Sequence, residues 1–365
     1  MKTSSALSFL DTTIRAIYPQ DFACRELAES RCKRLAPSRW ALGVLMELAI
    51  DLAGMTRTLQ PPMARKQMVV MAGDHGVAAD EDSRCPDEST TQRVHALVRG
   101  EAGVTLLARR SGIEVCVVDA GVKDDLTGLV QDGNIIAKKI GRGTAAMVNG
   151  PAMTRTHAVM AVEAGIEVAN RFAGEIDIFG AAAIGIGDTM SSAAINAVFT
   201  GKKVEDLLVQ GESLDDVRLE HEIGVVNKAL ARNRPNAKDG LDVLAKVGGF
   251  EIGAIAGLII GAAAKRKPIV VDGLSSTAGA MIACSLEPFV RDYILCAQRS
   301  ADPGHCALLE RLQCRLLFGL DLRLGEGAAA VLALEVAEAA ATLLAGVSTG
   351  AGVVDASSVD AGAMT

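Results

Sequence analysis

The sequence predicts an α/β fold, a Rossmann-like parallel sheet with flanking helices. Three observations predict it. Strand-like apolar runs alternate with helical patterns along most of the chain. Several of these runs are continuously apolar, as in strands buried on both faces. The core residues are small: half of the 365 residues are hydrophobic, only 3% are aromatic, and 37 are glycine. Small aliphatic cores let helices lie close on a sheet.

Residues 1–39 read as short helices with a proline-containing break. "WALGVLMELAIDLAGM" (40–55) has helical spacing. "QMVVMAGDHG" (67–76) is a buried strand ending in a Gly-Asp-His-Gly turn. Helical segments follow near 91–99 and 104–109, then a second strand, "IEVCVVDAG" (113–121). The charged stretch 123–139 reads as a loop or short excursion. Pro151 is expected in the first turn of a long helix reaching Arg171. "EIDIFG" (175–180), "KPIVVDG" (267–273) and "RDYILCA" (291–297) are further strands. Residues 214–233, 250–266 and 326–346 read as helices, the last opened by Glu326. The tail beyond it is rich in Gly, Ala and Ser.

Net charge is −7, and no block of Lys or Arg has the density of a nucleic-acid surface, so no nucleic-acid partner is expected. The N-terminus lacks a signal-peptide pattern. The apolar stretch 252–264 is too short to span a bilayer, so no membrane partner is expected. Eight scattered cysteines without a CxxC pair read as reduced thiols of a cytoplasmic protein, with no metal site.

Four places could carry chemistry. In "IFGAAAIGIGDTMSSAAINAV" (178–198), a strand ends in glycines and a helix follows, the layout of a phosphate turn. Yet Asp188 stands where the anion would rest, and no Lys or Arg lies between Arg171 and Lys202. In "AGDHGV" (72–77), Asp74 and His75 either bind a ligand or cap a tight turn. Ser83, Thr90, Thr91 and Gln92 offer polar groups, but local chemistry favours a helix N-cap there. In "LRLGEGAAA" (322–330), Glu326 sits between glycines at a helix start, either as a proton acceptor or as an ordinary helix-start acid. A fifth feature, His305 in "DPGHCALLER", reads as a cap or packing residue.

Taken together, "MAGDHGV", "GPAMTR", "IGIGDT", "GGFEIGAIAG", "VVDG", "DPGH" and "LRLGEGAAA" resemble the nicotinate-nucleotide:dimethylbenzimidazole phosphoribosyltransferases, from about Trp40 to Leu344. The resemblance implies transfer of phosphoribose from nicotinate mononucleotide to the lower-ligand base of a cobamide. It implies a cytoplasmic dimer that needs no metal or cofactor. A large α/β domain (41–324) would carry a small helical domain built from both chain ends (1–40 and 325–365). Glu326 matches the family's general base. Leu322 and Leu324 would approach the aromatic base, and Ser83 and Gln92 match polar positions of the base-site loop. Gly185, Gly187, Asp188, Thr189 and Gly211 fall on the nucleotide-binding loops.

Those loops depart from the family pattern. An acid has become Ala183, an Asn has become Asp188, and a Thr has become Met190. "VQGESLDD" (209–216) replaces a glycine-rich cradle, and Glu222 replaces a basic residue. The base-site Tyr before Pro is Cys85, and a basic position is Asn149. Two like charges about 4 Å apart repel by about 4 kcal/mol near a protein surface. The losses imply a non-catalytic subunit of a heterodimer with an intact homologue, as in a branch that activates phenolic lower ligands, with a phenol or a benzimidazole as the accepting base. The rivals are an active homodimer with Glu326 as base, and a non-catalytic base-binding homologue.

Overall fold

The computed structural model describes residues 8–35, 39–79, 89–208 and 216–346. Among them, seven strands form one parallel sheet in the order β3-β2-β1-β4-β5-β6-β7. The strands are β1 (Lys66–Gly73), β2 (Glu114–Gly121), β3 (Ile136–Ala137), β4 (Ile178–Ile184), β5 (Ile269–Val271), β6 (Ile294–Gln298) and β7 (Leu316–Phe318). Every residue of β1 after Lys66 is buried, which is why its sequence is continuously apolar. From β1 the chain runs outward to β2 and β3, then returns to lay β4 on the other side of β1. The β1–β4 boundary is therefore the switch point, and a crevice beyond the carboxyl ends of these strands is the expected ligand position.

Helices cover both faces. Phe250–Ala264 lies over β1, β2 and β4 and packs on Arg155–Phe172. This helix pair touches backbone to backbone. A β-carbon at Gly165 would lie 1.9 Å from the Ala254 carbonyl oxygen, and one at Gly257 1.8 Å from that of Val162. The alanine- and glycine-rich composition thus sets the closeness of the layers. On the other face, Ala328–Gly346 crosses β4, β5 and β6 and also meets Val44–Thr56, on which Phe22–Leu35 rests. Ion pairs reinforce this corner: Asp51 faces both Arg25 and Arg315.

The α/β reading and the parallel sheet hold, and several details differ. Pro151 lies outside the long helix, which starts at Arg155 because the Thr154 hydroxyl caps it, accepting the His157 N–H at 3.1 Å. The stretch 123–139 contains the short helix Thr127–Gln131 and the edge strand β3. In "RDYILCA" only Ile294 onward is strand, and Pro288–Tyr293 is a 3-10 turn. The short strand β7 was not anticipated; three residues are too few to show a period. One described helix, Ala328–Gly346, is long and apolar enough to cross a membrane by length and composition. It is the core helix that covers the sheet.

Candidate active site

The carboxyl ends of β1 and β4 are tied by Asp74 and His75. Asp74 Oδ1 accepts the Thr90 hydroxyl and the Ile186 N–H, and Oδ2 accepts the Lys123 N–H at 2.7 Å. The His75 N–H donates to the Ile186 carbonyl at 3.1 Å. Asp74 therefore joins the ends of β1 and β4 to the loop after β2 and the helix Thr90–Arg99. Its side chain thus serves the capped-turn role that the sequence offered.

The turn after β4 keeps the geometry of a phosphate turn. Gly185 is fixed as glycine because a β-carbon there would lie 1.9 Å from the Gly73 carbonyl oxygen. Gly187 has φ +88°, a conformation that disfavours side chains, and it N-caps the helix Asp188–Thr200 without a side-chain hydrogen bond. The first amides of that helix thus face the crevice end of the sheet.

Asp188 is half-buried and turned into a hydroxyl ladder. Ser192 Oγ donates to Ser275 Oγ at 3.0 Å, and Ser275 Oγ donates to Asp188 Oδ2 at 2.9 Å. Burial pushes the Asp188 carboxyl above the usual carboxylate range, although the His75 charge and the Ser275 hydrogen bond oppose this. Thr189 is exposed, with its hydroxyl 3.5 Å from Asp188 Oδ1. Met190 is buried, so the side chain at that position fills the core and does not face a ligand. Gly211, with Glu212, lies outside the described residues, as do Ser83 and Cys85.

Glu326 lies on the same edge of the sheet. The helix does not begin at Glu326, as the sequence suggested, but at Ala328. Gly325, Glu326 and Gly327 are all left-handed, with φ +71°, +54° and +88°. A β-carbon at Gly327 would lie 2.1 Å from Met68 Cε and 2.8 Å from Ala182 Cβ. The turn is therefore seated directly on β1 and β4, and Glu326, half-buried, lies within it.

The helix-start role assigned to Glu326 belongs instead to Asp272, at the end of β5. Asp272 Oδ2 accepts the Ala329 N–H at 3.0 Å. Burial pushes its pKa up to about 6, against the pull of the Ala329, Ala330 and Gly273 amides. Between about pH 4 and about pH 6 the folded chain retains a proton that the unfolded chain has released. This group's contribution to stability therefore falls as pH rises through that window. Asp272→Asn should flatten the decline, seen as a smaller loss of Tm between those pH values than in the parent protein.

Leu322 is held by its backbone: the buried Gln298 amide donates to the Leu322 carbonyl at 2.9 Å and accepts its N–H at 3.2 Å. Leu324 is 57% exposed and lies across Gly103, where a β-carbon would meet its Cδ2 at 2.4 Å. Gln92 closes a capping box with Ser89, accepting the Ser89 N–H at 2.7 Å. Its carbonyl oxygen is used for that cap. His305 is buried, with Nδ1 2.8 Å from Ser300 Oγ, and burial lowers its pKa to about 4. It packs as a neutral histidine beside the Asp302 cap of the helix Pro303–Leu312.

Gln298 escaped the sequence reading, whereas Asp272, Ser275 and Glu251 lie in stretches that the sequence pointed to without giving any of them a role.

The geometry agrees with comparisons to known proteins. The phosphoribosyltransferase family profile matches residues 17–353. The nicotinate-nucleotide–dimethylbenzimidazole phosphoribosyltransferase of Desulfotalea psychrophila is 52% identical over 344 residues, covering 94% of this chain and 97% of the relative. The enzyme of the same name from Syntrophotalea carbinolica is 49% identical over 343 residues, with coverages of 94% and 97%. The crystal structure of CobT from Thermus thermophilus superposes with a TM-score of 0.82 at 37% identity, covering 90% of this chain and all of that one. With its whole sheet and both crevice turns inside the matched region, this chain belongs to the nicotinate-nucleotide–dimethylbenzimidazole phosphoribosyltransferase family.

Proposed function

We propose that the chain is itself catalytic. It would transfer phosphoribose from nicotinate mononucleotide to a benzimidazole-type base, with Glu326 as general base. The observation that carries this reading is the Gly325–Glu326–Gly327 turn, three left-handed residues seated on Met68 of β1 and Ala182 of β4. In the reaction, the bond from ribose C1′ to the nicotinate nitrogen breaks and its electron pair leaves on that nitrogen. The unprotonated ring nitrogen of the acceptor bonds to C1′ from the opposite face, and the N–H proton of its other ring nitrogen passes to the Glu326 carboxylate. The product is an α-linked ribotide. Leu322, clamped by Gln298, would form one wall for the flat acceptor.

The phosphate would rest on the amides after Gly187. Beside this turn, Val77 lines a 380 Å³ cavity with Asn149, His221 and Lys228, which supply polar and basic groups. A second subunit fits the apolar side chains of Tyr18 and Phe22, 58% and 71% exposed on the N-terminal segment.

The acids at 188 and 222 favour the other reading, a non-catalytic subunit that works with a homologue. Against it, Asp188 is engaged by Ser275, and Glu222 is buried and accepts a hydrogen bond from Arg218 Nε at 3.3 Å. The test is turnover by the purified chain, with nicotinate mononucleotide and dimethylbenzimidazole, read as ribotide formation. Turnover by the chain alone is expected. Turnover only after a homologous subunit is added would overturn the proposal in favour of the heterodimer.

A further inference from the structure

Beneath the turn after β4 lies a buried chain of polar side chains. His75 and Glu251 have no exposed side-chain surface. His75 Nδ1 lies 2.8 Å from Ser191 Oγ, and Nε2 lies 2.7 Å from Glu251 Oε1. Among the described residues, Glu251 Oε2 has no hydrogen-bond partner. It abuts the backbone: a β-carbon at Gly73 would lie 2.6 Å from it. In the charged form a carboxylate so buried is stabilised only by a positive charge at close range, and the imidazole of His75 is the group in contact with it. The ring of His75 also underlies the turn, since a β-carbon at Gly187 would lie 3.1 Å from His75 Cβ and one at Gly185 3.8 Å from Cδ2.

We propose that His75 is a positioning residue: its imidazolium, held from below by Glu251, is the fixed counter-charge that lets a turn bearing Asp188 receive a phosphate. The proposal rests on the reading of this turn as the nucleotide site. The charged groups facing the imidazole come from three elements. Glu251 comes from the helix Phe250–Ala264, Asp188 from the helix Asp188–Thr200, and Asp74 from the residue after β1. From the helix Thr90–Arg99, Arg93 acts on Asp188. Burial works against a charged imidazole, but the charge and hydrogen bond of Glu251, with Asp188 and Asp74, outweigh it and hold His75 above its ordinary value. A merely structural histidine would hold the two loops together equally well when neutral. A counter-charge must instead be energetically coupled to the charge it offsets.

Two measurements test this. The first is the imidazole nitrogen NMR spectrum of the free protein, with the His75 signals assigned by their loss in His75→Gln. Both ring nitrogens should be protonated at pH 7; one bare nitrogen would overturn the proposal. The second is calorimetric binding of nicotinate mononucleotide and of nicotinate riboside, which lacks the phosphate, to the full-length chain. His75→Gln should weaken the mononucleotide about tenfold or more and the riboside less than about threefold; in an Asp188→Asn background the same change should cost the mononucleotide less than about threefold. Equal losses in both backgrounds, or for both ligands, would overturn it. If His75→Gln does not fold, Glu251→Gln serves instead, expected to lower the His75 titration midpoint and weaken the mononucleotide selectively. Parent protein that binds no mononucleotide would refute the functional reading before any variant is compared.

Discussion

Glu326→Gln should lower kcat by about two to four orders of magnitude, the usual contribution of a positioned general base, while nicotinate mononucleotide binding stays within about twofold. Glutamine keeps the length and a hydrogen-bonding tip but cannot accept the acceptor's proton at neutral pH. Backbone geometry makes the comparison clean. Glu326 already occupies a left-handed conformation between two glycines, and glutamine inherits the same strain. The helix behind it is capped by Asp272, not by Glu326, so the substitution removes no helix cap. Single-turnover kinetics with mononucleotide and base would separate the chemical step from product release. An unchanged kcat would remove Glu326 from the mechanism and return the general-base role to a partner subunit.

Gly185→Ala should be the most damaging single-methyl change in the site. The added carbon would lie 1.9 Å from the Gly73 carbonyl oxygen, which belongs to a central strand and cannot swing aside. Relief requires β1 and the turn after β4 to separate, breaking the bond from the His75 N–H to the Ile186 carbonyl. A destabilisation of about 3 kcal/mol or more is expected, at the upper end for overpacked sites. Mononucleotide affinity should fall by more than about tenfold, because the amides after Gly187 move with the turn. Urea unfolding and calorimetry would read the two effects separately. A variant with parent-like stability would show that the contact between β1 and this turn is looser than the backbone distance requires.

The sequence exposed the layout better than the partnerships. Buried strands announced themselves because both of their faces are covered, so β1 and β4 read as unbroken apolar runs. The turns at Gly185–Gly187 and Gly325–Gly327 were legible because glycine marks places where a β-carbon does not fit. Side-chain direction was not legible. Asp188 looked like a repelled phosphate neighbour, yet Ser275, 87 residues further along the chain, takes one of its oxygens. Glu326 looked like a helix-start acid until Asp272, from β5, proved to hold that place. Gln92 matches a base-site position of the family, and it closes the N-cap that local chemistry favoured. Met190 looked like a lost phosphate donor and fills the core. For Asp188, Glu326 and Gln92 the deciding partner comes from a distant segment of the chain or from local capping geometry, which periodicity does not report.

The returning path of the chain from β3 to β4 has a consequence for how the protein is made. β1 is a buried central strand whose second neighbour, β4, begins 112 residues after it, and the helix that seals its other face starts at Ala328. During synthesis, β1 and β2 must wait with an apolar edge uncovered until most of the chain has left the ribosome. Distant pairings of this kind slow folding and lengthen exposure to aggregation. Nascent chains halted before residue 328 should remain protease-sensitive and dependent on chaperones, and should become resistant only once that last helix can dock.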